Sequence, residues 1–362
     1  MNNRLFYLDA MRGILMMLGV VLHSAQLFSP ERSWLLYHTE SSPFAGAVAS
    51  VLHVFRMPAF FVVSGYFCIL TLKKYGGRNF LRIRLRRIAV PLICTGLTLN
   101  VIQAMLLDWS GWKDSGWFNF FVEGDWVSHL WFLNYLIVYF LVASLVFFFS
   151  KKSFVKKMSA FQVNHPERML FFTLFLMPLY TIGLRAAGLA GLPLYWDLAG
   201  IIQGYDILFY LQFFAFGYWL QTRPRVMFAL TQLKILLLMA IIALGAALDF
   251  FWTNESTFIL KILDEYLHML VVWFSVALCF GLFYRLTNDP SPIFRFLSDA
   301  SYSVYLVHHL LVVVLGLVLL KFQVPPLIGF LFTLAIVMML ALAVHKFAIA
   351  KSRVLTFMFN GK

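Results

Sequence analysis

Long apolar segments separated by short polar loops run through the whole chain. About ten of them are long enough to cross a bilayer as helices, because a spanning helix needs roughly 20 mainly apolar residues. They lie near residues 8–28, 46–72, 88–107, 129–149, 169–188, 199–220, 227–249, 266–285, 300–320 and 326–349. The pattern predicts an all-α, polytopic integral membrane protein with one transmembrane domain over residues 1–362.

The composition favours a membrane protein over a soluble one. Of the 362 residues, 62% are hydrophobic and only 12% are charged, whereas a soluble domain usually carries about 25% charged residues. The net charge of +13 would also suit a nucleic-acid binder, so the placement of the charge has to decide between the two.

Most of the 29 lysines and arginines fall in alternate loops, with dense runs within residues 73–87 and 151–157. Such asymmetry in short loops predicts that these loops and both chain termini are cytoplasmic. Most acidic residues fall in the other loops, as Asp108 and Glu123 do. The basic charge is therefore expected to set the topology and contact anionic lipids, with no nucleic-acid partner.

The first apolar segment holds polar groups that lipid disfavours, namely Asp9, Arg12 and His23. A helix turns about 100° per residue, so Arg12 and His23 fall on one face, separated by roughly 16 Å along the axis. Ionisable groups at this depth normally face a polar cavity, which predicts a functional site. The open alternative is that neighbouring carbonyls satisfy them and that they only hold helices together.

Two further segments carry polar residues. In the second, Arg56 is another membrane charge that needs a partner, and the pair Ser64-Gly65 permits close approach of helices. In the ninth, a polar stripe shares one helix face and consists of Ser301, Tyr305 and His308.

Several familiar chemistries lack their motifs here. The sequence has no HExxH or carboxylate-rich metal site, no P-loop and no GxSxG elbow. No facing pair of histidines is evident for haem, since the neighbours His308 and His309 lie about 100° apart on a helix. What remains is a histidine–arginine site with aromatic walls. Such a site suits proton abstraction from a hydroxyl, because the unperturbed pKa of histidine, about 6.5, lies near physiological pH.

The basic loop before the third segment has a second possible use. Its arginines are dense enough to hold a phosphorylated ligand at the membrane surface, because guanidinium groups bind phosphate bidentately. Charge placed only to set the topology explains them equally well. They are Arg78, Arg82, Arg84, Arg86 and Arg87.

Four motifs in order along the chain resemble membrane acyltransferase family 3. They are Asp9-Ala10-Met11-Arg12 followed by His23, the run at 60–67, Arg84-x-x-Arg87-x-x-x-Pro91, and Tyr305-Leu306-Val307-His308-His309. Each motif alone is weak, but together they extend over nearly the whole chain. The ten predicted spans also agree with this family.

The resemblance implies transfer of an acyl group from a cytoplasmic acyl-CoA to hydroxyls of an extracytoplasmic glycan. Within the family, the chain looks most like a subgroup that moves succinyl groups to periplasmic glucans, on the evidence of His129-Leu130-Trp131-Phe132-Leu133, Phe55-Arg56-Met57 and the doublet His308-His309. Succinyl-CoA or acetyl-CoA would be the donor substrate, with no permanently bound cofactor and no metal. The implied location is the bacterial inner membrane, as a multi-pass protein among membrane lipids.

The predicted site combines the resemblance with the residue pattern. His23 is the expected general base or transient acyl carrier, and Arg12 is expected to orient the donor. Ser64, Tyr305 and His308 are expected to line the chamber or polarise the thioester carbonyl. The predicted donor-binding residues are Arg84, Arg87, Arg82 and Arg56. For a succinyl donor, either Arg56 or Arg185 is a candidate partner of the distal carboxylate.

Two other functions stay open at this point. A transporter or flippase would use Arg12, Arg56 and His23 to line a substrate path, and repeated halves would favour it, but none is visible. A non-catalytic acyl-CoA sensor is the third possibility. The oligomeric state is not predicted.

Overall fold

Helices make up nearly all of the regular structure in the computed structural model, which describes residues 5–112, 116–149, 165–252 and 257–362, with the backbone alone for 249–252. The helices are α1 (Phe6–Gln26), α2 (Pro43–Leu97), α3 (Leu99–Trp109), α4 (Trp117–Val122), α5 (Trp131–Phe149), α6 (Pro166–Leu189), α7 (Gly204–Thr222), α8 (Pro224–Gln232), α9 (Ile235–Trp252), α10 (Phe258–Thr287), α11 (Pro292–Leu319), α12 (Pro326–Ala343) and α13 (Arg353–Asn360). A 3-10 turn (Ser128–Leu130) precedes α5, and a π-helical turn (Val344–Ile349) follows α12.

One short antiparallel hairpin interrupts the helices, pairing β1 (Asp197–Leu198) with β2 (Ile202–Gln203). Local sequence accounts for two of the helix starts. Ser42 caps α2 and Ser291 caps α11, each accepting a hydrogen bond from a backbone N–H three residues later. A proline follows each serine, where its missing N–H costs nothing.

The predicted class, an all-α polytopic membrane protein, is confirmed. Within the described residues, seven helical stretches are long and apolar enough to cross a membrane, or eight if the bent pair of α8 and residues 235–248 is one span. The count of seven lacks the predicted segment 227–249, which corresponds to that bent pair, and two further differences separate eight from ten. The stretch Pro43–Trp109 contains two of the predicted segments, and α7, with its polar Asp206 and Gln212, is not among the seven. The number of crossings and the side of the termini stay predictions.

The long helix α2 turns sharply at Gly76, which has a φ of +73°. The Arg84 Nη2 atom donates hydrogen bonds to Thr71 Oγ1 at 2.6 Å and to the Phe67 carbonyl at 3.3 Å. In a straight helix, residues 71 and 84 would be about 20 Å apart. The two arms of α2 therefore fold toward each other and bring the basic run at 78–87 back toward the bundle.

Helix α1 lies at the centre of the bundle and packs against α2, α10, α11 and α12. Its side chains Leu8, Met11 and Leu15 are no more than 1% exposed. Because α1 is surrounded by other helices, the polar groups that it carries face protein rather than lipid.

Helices α2 and α7 approach until their backbones touch. A Cβ atom added at Gly65 would overlap the Phe214 carbonyl oxygen, and one added at Gly217 would overlap that of Val62. The predicted close approach at Ser64-Gly65 is confirmed.

We expect Gly65→Ala to destabilise the protein by about 1–3 kcal/mol, because the added methyl group must push two backbones apart. The measurement is the midpoint of thermal unfolding in detergent. Gly183→Ala is the control, since an added Cβ there meets nothing within 4 Å and alanine favours a helix. Equal losses of stability in the two variants would contradict the packing explanation.

Candidate active site

Four histidine rings meet in the half of the bundle that holds the end of α1. His23 comes from α1, His129 from the 3-10 turn, and His308 and His309 from α11. The ring centroids are 5.3 Å apart for His23 and His308, 4.8 Å for His23 and His309, and 4.3 Å for His129 and His309. His308 and His309 are at most 2% exposed, whereas His23 is half-buried. We call these four residues the histidine cluster.

Hydrogen bonds fix the tautomer of three of these rings. In each, Nδ1 lies against an oxygen: Gln26 Oε1 for His23 at 2.8 Å, the Tyr305 carbonyl for His308 at 2.5 Å, and Gln103 Oε1 for His309 at 2.7 Å. An oxygen acceptor requires a proton on Nδ1, so each neutral ring keeps a lone pair on Nε2. A neutral imidazole with a free Nε2 can take a proton from a hydroxyl.

The cluster also holds unsatisfied polar atoms. Both ring nitrogens of His129 and the Nε2 atom of His308 are buried without a hydrogen-bond partner in the described part of the chain. Leaving such an atom unpaired costs about 1–3 kcal/mol, so a concentration of them indicates a place where ligand groups bind. The described residues include no group of three or more His, Cys, Asp or Glu arranged to hold a metal ion.

His23 is held by its neighbours on the side away from His308. Its ring stacks on Trp34 at 5.6 Å between centroids. The Gln26 amide accepts from His23 and donates to His53 Nε2 at 3.1 Å. His53 is exposed, so the amide connects the cluster to a surface imidazole. These contacts fix the ring orientation of His23, as partners of a catalytic histidine commonly do.

Arg56 lies beside the histidine cluster. A Cβ added at Gly19 would lie 2.8 Å from Arg56 Nη1 and 3.4 Å from His308 Nε2, so these two groups converge on Gly19. The Nε atom of Arg56 is buried without a hydrogen-bond partner, and no carboxylate pairs with Arg56 among the described residues. A buried cation without an acidic partner is costly unless an anionic ligand neutralises it.

A second site lies toward the start of α1. Here an open pocket of about 200 Å³ brings together four of the predicted residues, Arg12, Ser64, Arg84 and Arg87. Arg12 also donates to Ser298 Oγ at 3.3 Å and lies 3.8 Å from Asp9. We call this the basic pocket, because its described lining holds four cations and one acid, adding Lys362 and Asp299 to the three arginines.

Packed side chains separate the basic pocket from the histidine cluster. Met16 and Phe132 line the pocket, and none of the four histidines does so in the described structure. Phe132 contacts Tyr305 with ring centroids 4.9 Å apart, and Tyr305 donates its hydroxyl to the His129 carbonyl at 2.5 Å. The predicted face of Ser301, Tyr305 and His308 thus runs from the pocket to the cluster.

Some predicted residues lie elsewhere. Arg82 is exposed and outside the described pocket lining. Arg185 pairs with Glu265 at 2.9 Å, so its charge is already neutralised.

Other residues of the site were absent from the prediction. His129 and His309 were left out of the site, although both stand in motifs that the sequence displays. Asn360 and Lys362 also line the pocket. They gave no signal in the sequence, because only the folding of the chain brings α13 and the residues after it to the pocket.

Known proteins resemble this chain along almost its whole length. The family model described as an acyltransferase domain matches residues 5–346. Glucans biosynthesis protein C of Salmonella schwarzengrund (strain CVM19633) is 26% identical over 386 aligned positions, which cover 99% of this chain and 95% of that protein. The proteins of the same name from Salmonella typhi and Salmonella typhimurium show the same identity and coverage. No solved structure gives a significant match.

Proposed function

Because this chain belongs to the acyltransferase-domain family, membrane acyltransferase family 3, we propose that it moves a succinyl group from cytoplasmic succinyl-CoA to hydroxyls of a periplasmic glucan. The observation that carries this proposal is Arg56, whose buried Nε is unpaired and which has no acidic partner among the described residues, beside the free Nε2 of His308. An anionic acyl group would supply the missing charge, whereas an acetyl group would not.

The donor is proposed to enter from the cytoplasm through the basic pocket. Arg84 and Arg87 bind the phosphates of CoA, since guanidinium groups suit phosphate geometry, and Arg12 orients the pantetheine arm. Ser64 lines the path of the thioester. The chain is then an inner-membrane protein of a bacterium, with both termini cytoplasmic, as the distribution of basic residues predicts.

The acyl transfer is proposed to use His23 as the general base. Its Nε2 takes the proton from a sugar hydroxyl, and the hydroxyl oxygen attacks the thioester carbonyl. The carbon–sulfur bond then breaks, and the CoA thiolate receives the proton from the His23 imidazolium. Arg56 holds the distal carboxylate of the succinyl group during these steps.

The roles that we propose for His308 and Tyr305 differ from those that the sequence predicted. With Nδ1 committed to the Tyr305 carbonyl, His308 presents a lone pair and can accept from a sugar hydroxyl, but it cannot donate to the thioester carbonyl. Tyr305 donates its own hydroxyl to His129, so its proposed role is to position the turn that carries His129.

The test is acyl transfer by the purified protein, given labelled succinyl-CoA and periplasmic glucan. We expect label to enter the glucan in step with CoA release. Arg87→Gln should raise the KM for succinyl-CoA about tenfold, the equivalent of losing one charge-assisted bond. The control is Arg82→Gln, because Arg82 is a neighbouring arginine outside the pocket lining, and it should keep the wild-type KM.

Two outcomes would contradict the proposal. Glycan or acyl-CoA movement across vesicles without thioester cleavage would identify a transporter instead. Equal KM values for Arg87→Gln and Arg82→Gln would remove the basic pocket from donor binding.

A further inference from the structure

Three aromatic rings form a parallel stack near the hairpin. Tyr195 lies on Tyr205 with centroids 5.3 Å apart and an interplanar angle of 12°, and Tyr205 is followed by Phe209 at 6.3 Å and 16°. Tyr205 and Phe209 are four residues apart on α7, hence on one helix face. Tyr195 is 66% exposed, so the outer end of the stack is accessible. We call Tyr195, Tyr205 and Phe209 the aromatic shelf.

Polar groups border the shelf. Arg185 is close enough to Tyr205 to interact with it electrostatically, and its guanidinium pairs with Glu265 at 2.9 Å. Asp206, next along α7, lies 3.4 Å from the Tyr135 hydroxyl. Flat apolar faces beside hydrogen-bonding donors and acceptors suit a ligand that is apolar on its ring face and hydroxylated at its edge.

The shelf is joined to the histidine cluster by further aromatic rings. Phe209 contacts Tyr210 at 5.0 Å between centroids, and Tyr210 contacts Trp131 at 5.2 Å. Trp131 begins α5 directly after the turn that carries His129. The hairpin is fixed against the same helix, because the Asn134 side chain donates to the Ile201 carbonyl at 3.2 Å. The shelf is therefore linked to the turn that carries His129 through packed side chains of α5 and α7.

We propose that the aromatic shelf is the acceptor subsite, where a pyranose ring of a glucan stacks on Tyr195, the exposed outer end of the stack. The glucan then follows Phe209, Tyr210 and Trp131, which brings one of its sugars to the histidine cluster. This inference rests on the proposed function, because it assumes a glycan acceptor. Sugar ring faces carry C–H groups that pack on the negative face of an aromatic ring, while the hydroxyls reach the polar border.

The experiment uses the full chain in nanodiscs and measures glucan binding directly, by saturation-transfer NMR titration without acyl-CoA. Tyr195→Ala should weaken binding about tenfold and raise the KM for glucan by a similar factor. The kcat and the KM for succinyl-CoA should stay within about twofold. Tyr195→Phe, which keeps the ring, should bind as the wild type does.

Trp109→Ala is the matched control, because Trp109 is also an exposed aromatic residue, 87% accessible, but lies outside the shelf. Wild-type affinity for glucan in Tyr195→Ala would overturn the shelf, as would equal losses in Tyr195→Ala and Trp109→Ala, which would indicate membrane anchoring. Glucan binding that depends on Tyr195 without any CoA release by the wild type would instead contradict the proposed function and leave the shelf standing.

Discussion

Replacing His23 with glutamine is expected to lower acyl transfer by about a hundredfold to ten-thousandfold. The Nδ1–H of His23 is committed to Gln26, so its Nε2 carries the lone pair that takes the hydroxyl proton. Glutamine has a polar group of similar reach but no base of suitable pKa. The KM for succinyl-CoA should change little, because the basic pocket lies about 16 Å away along α1.

The measurement is the initial rate of label transfer, with donor binding measured in parallel. His53→Gln is the graded control, because His53 reaches His23 only through the Gln26 amide and should cost less than tenfold. A rapid-quench experiment with labelled donor and no glucan distinguishes the two possible roles of His23. Only a histidine that carries the acyl group leaves label covalently bound to the protein, whereas a general base does not. Wild-type transfer in His23→Gln would remove His23 from either role.

Replacing Arg56 with glutamine is expected to lower kcat/KM for succinyl-CoA about a hundredfold. The kcat/KM for acetyl-CoA should change only a few-fold. Truncating one partner of a buried, hydrogen-bonded charge pair costs about 2–5 kcal/mol, and the distal carboxylate is present only in the succinyl donor. The quantity to measure is therefore the ratio of kcat/KM for succinyl-CoA to kcat/KM for acetyl-CoA. Equal losses with both donors would contradict the assignment of Arg56 to the carboxylate.

Two companion variants sharpen this experiment. Arg185→Gln should leave the ratio unchanged, because Arg185 is already paired with Glu265. Gly19→Ala should lower the ratio without removing any charge, since its methyl group would sit 2.8 Å from Arg56 Nη1. A flexible guanidinium can move aside at small cost, so the thermal stability of this variant should be close to that of the wild type.

The parts of the site that lie on one helix could be predicted from the sequence. The spacing of Arg12 and His23 follows from helix geometry alone, and the structure places α1 where both face protein. The same reasoning found the face shared by Ser301, Tyr305 and His308, because a regular helix fixes relative directions over two turns.

The parts that depend on contacts between helices could not be predicted. Arg56 could be recognised as a charge that needs a partner, but its position beside His308 follows from how α2 crosses α1 at Gly19. The turn at Gly76 folds Arg84 back onto Thr71, and helical periodicity contains no information about that angle. His129 joins the cluster from a separate element, so spacing along the chain could not bring it to His309.

The side chains between the basic pocket and the histidine cluster have a consequence for the proposed reaction. A donor that enters at one end and an acceptor at the other both need openings, and an uninterrupted water-filled passage between them would leak protons. Met16 and Phe132 line the basic pocket with apolar side chains, and the thioether of Met16 is flexible enough to give way to a slender pantetheine arm. Under the proposed function, an acyl group would pass between the two sites without an open water-filled passage.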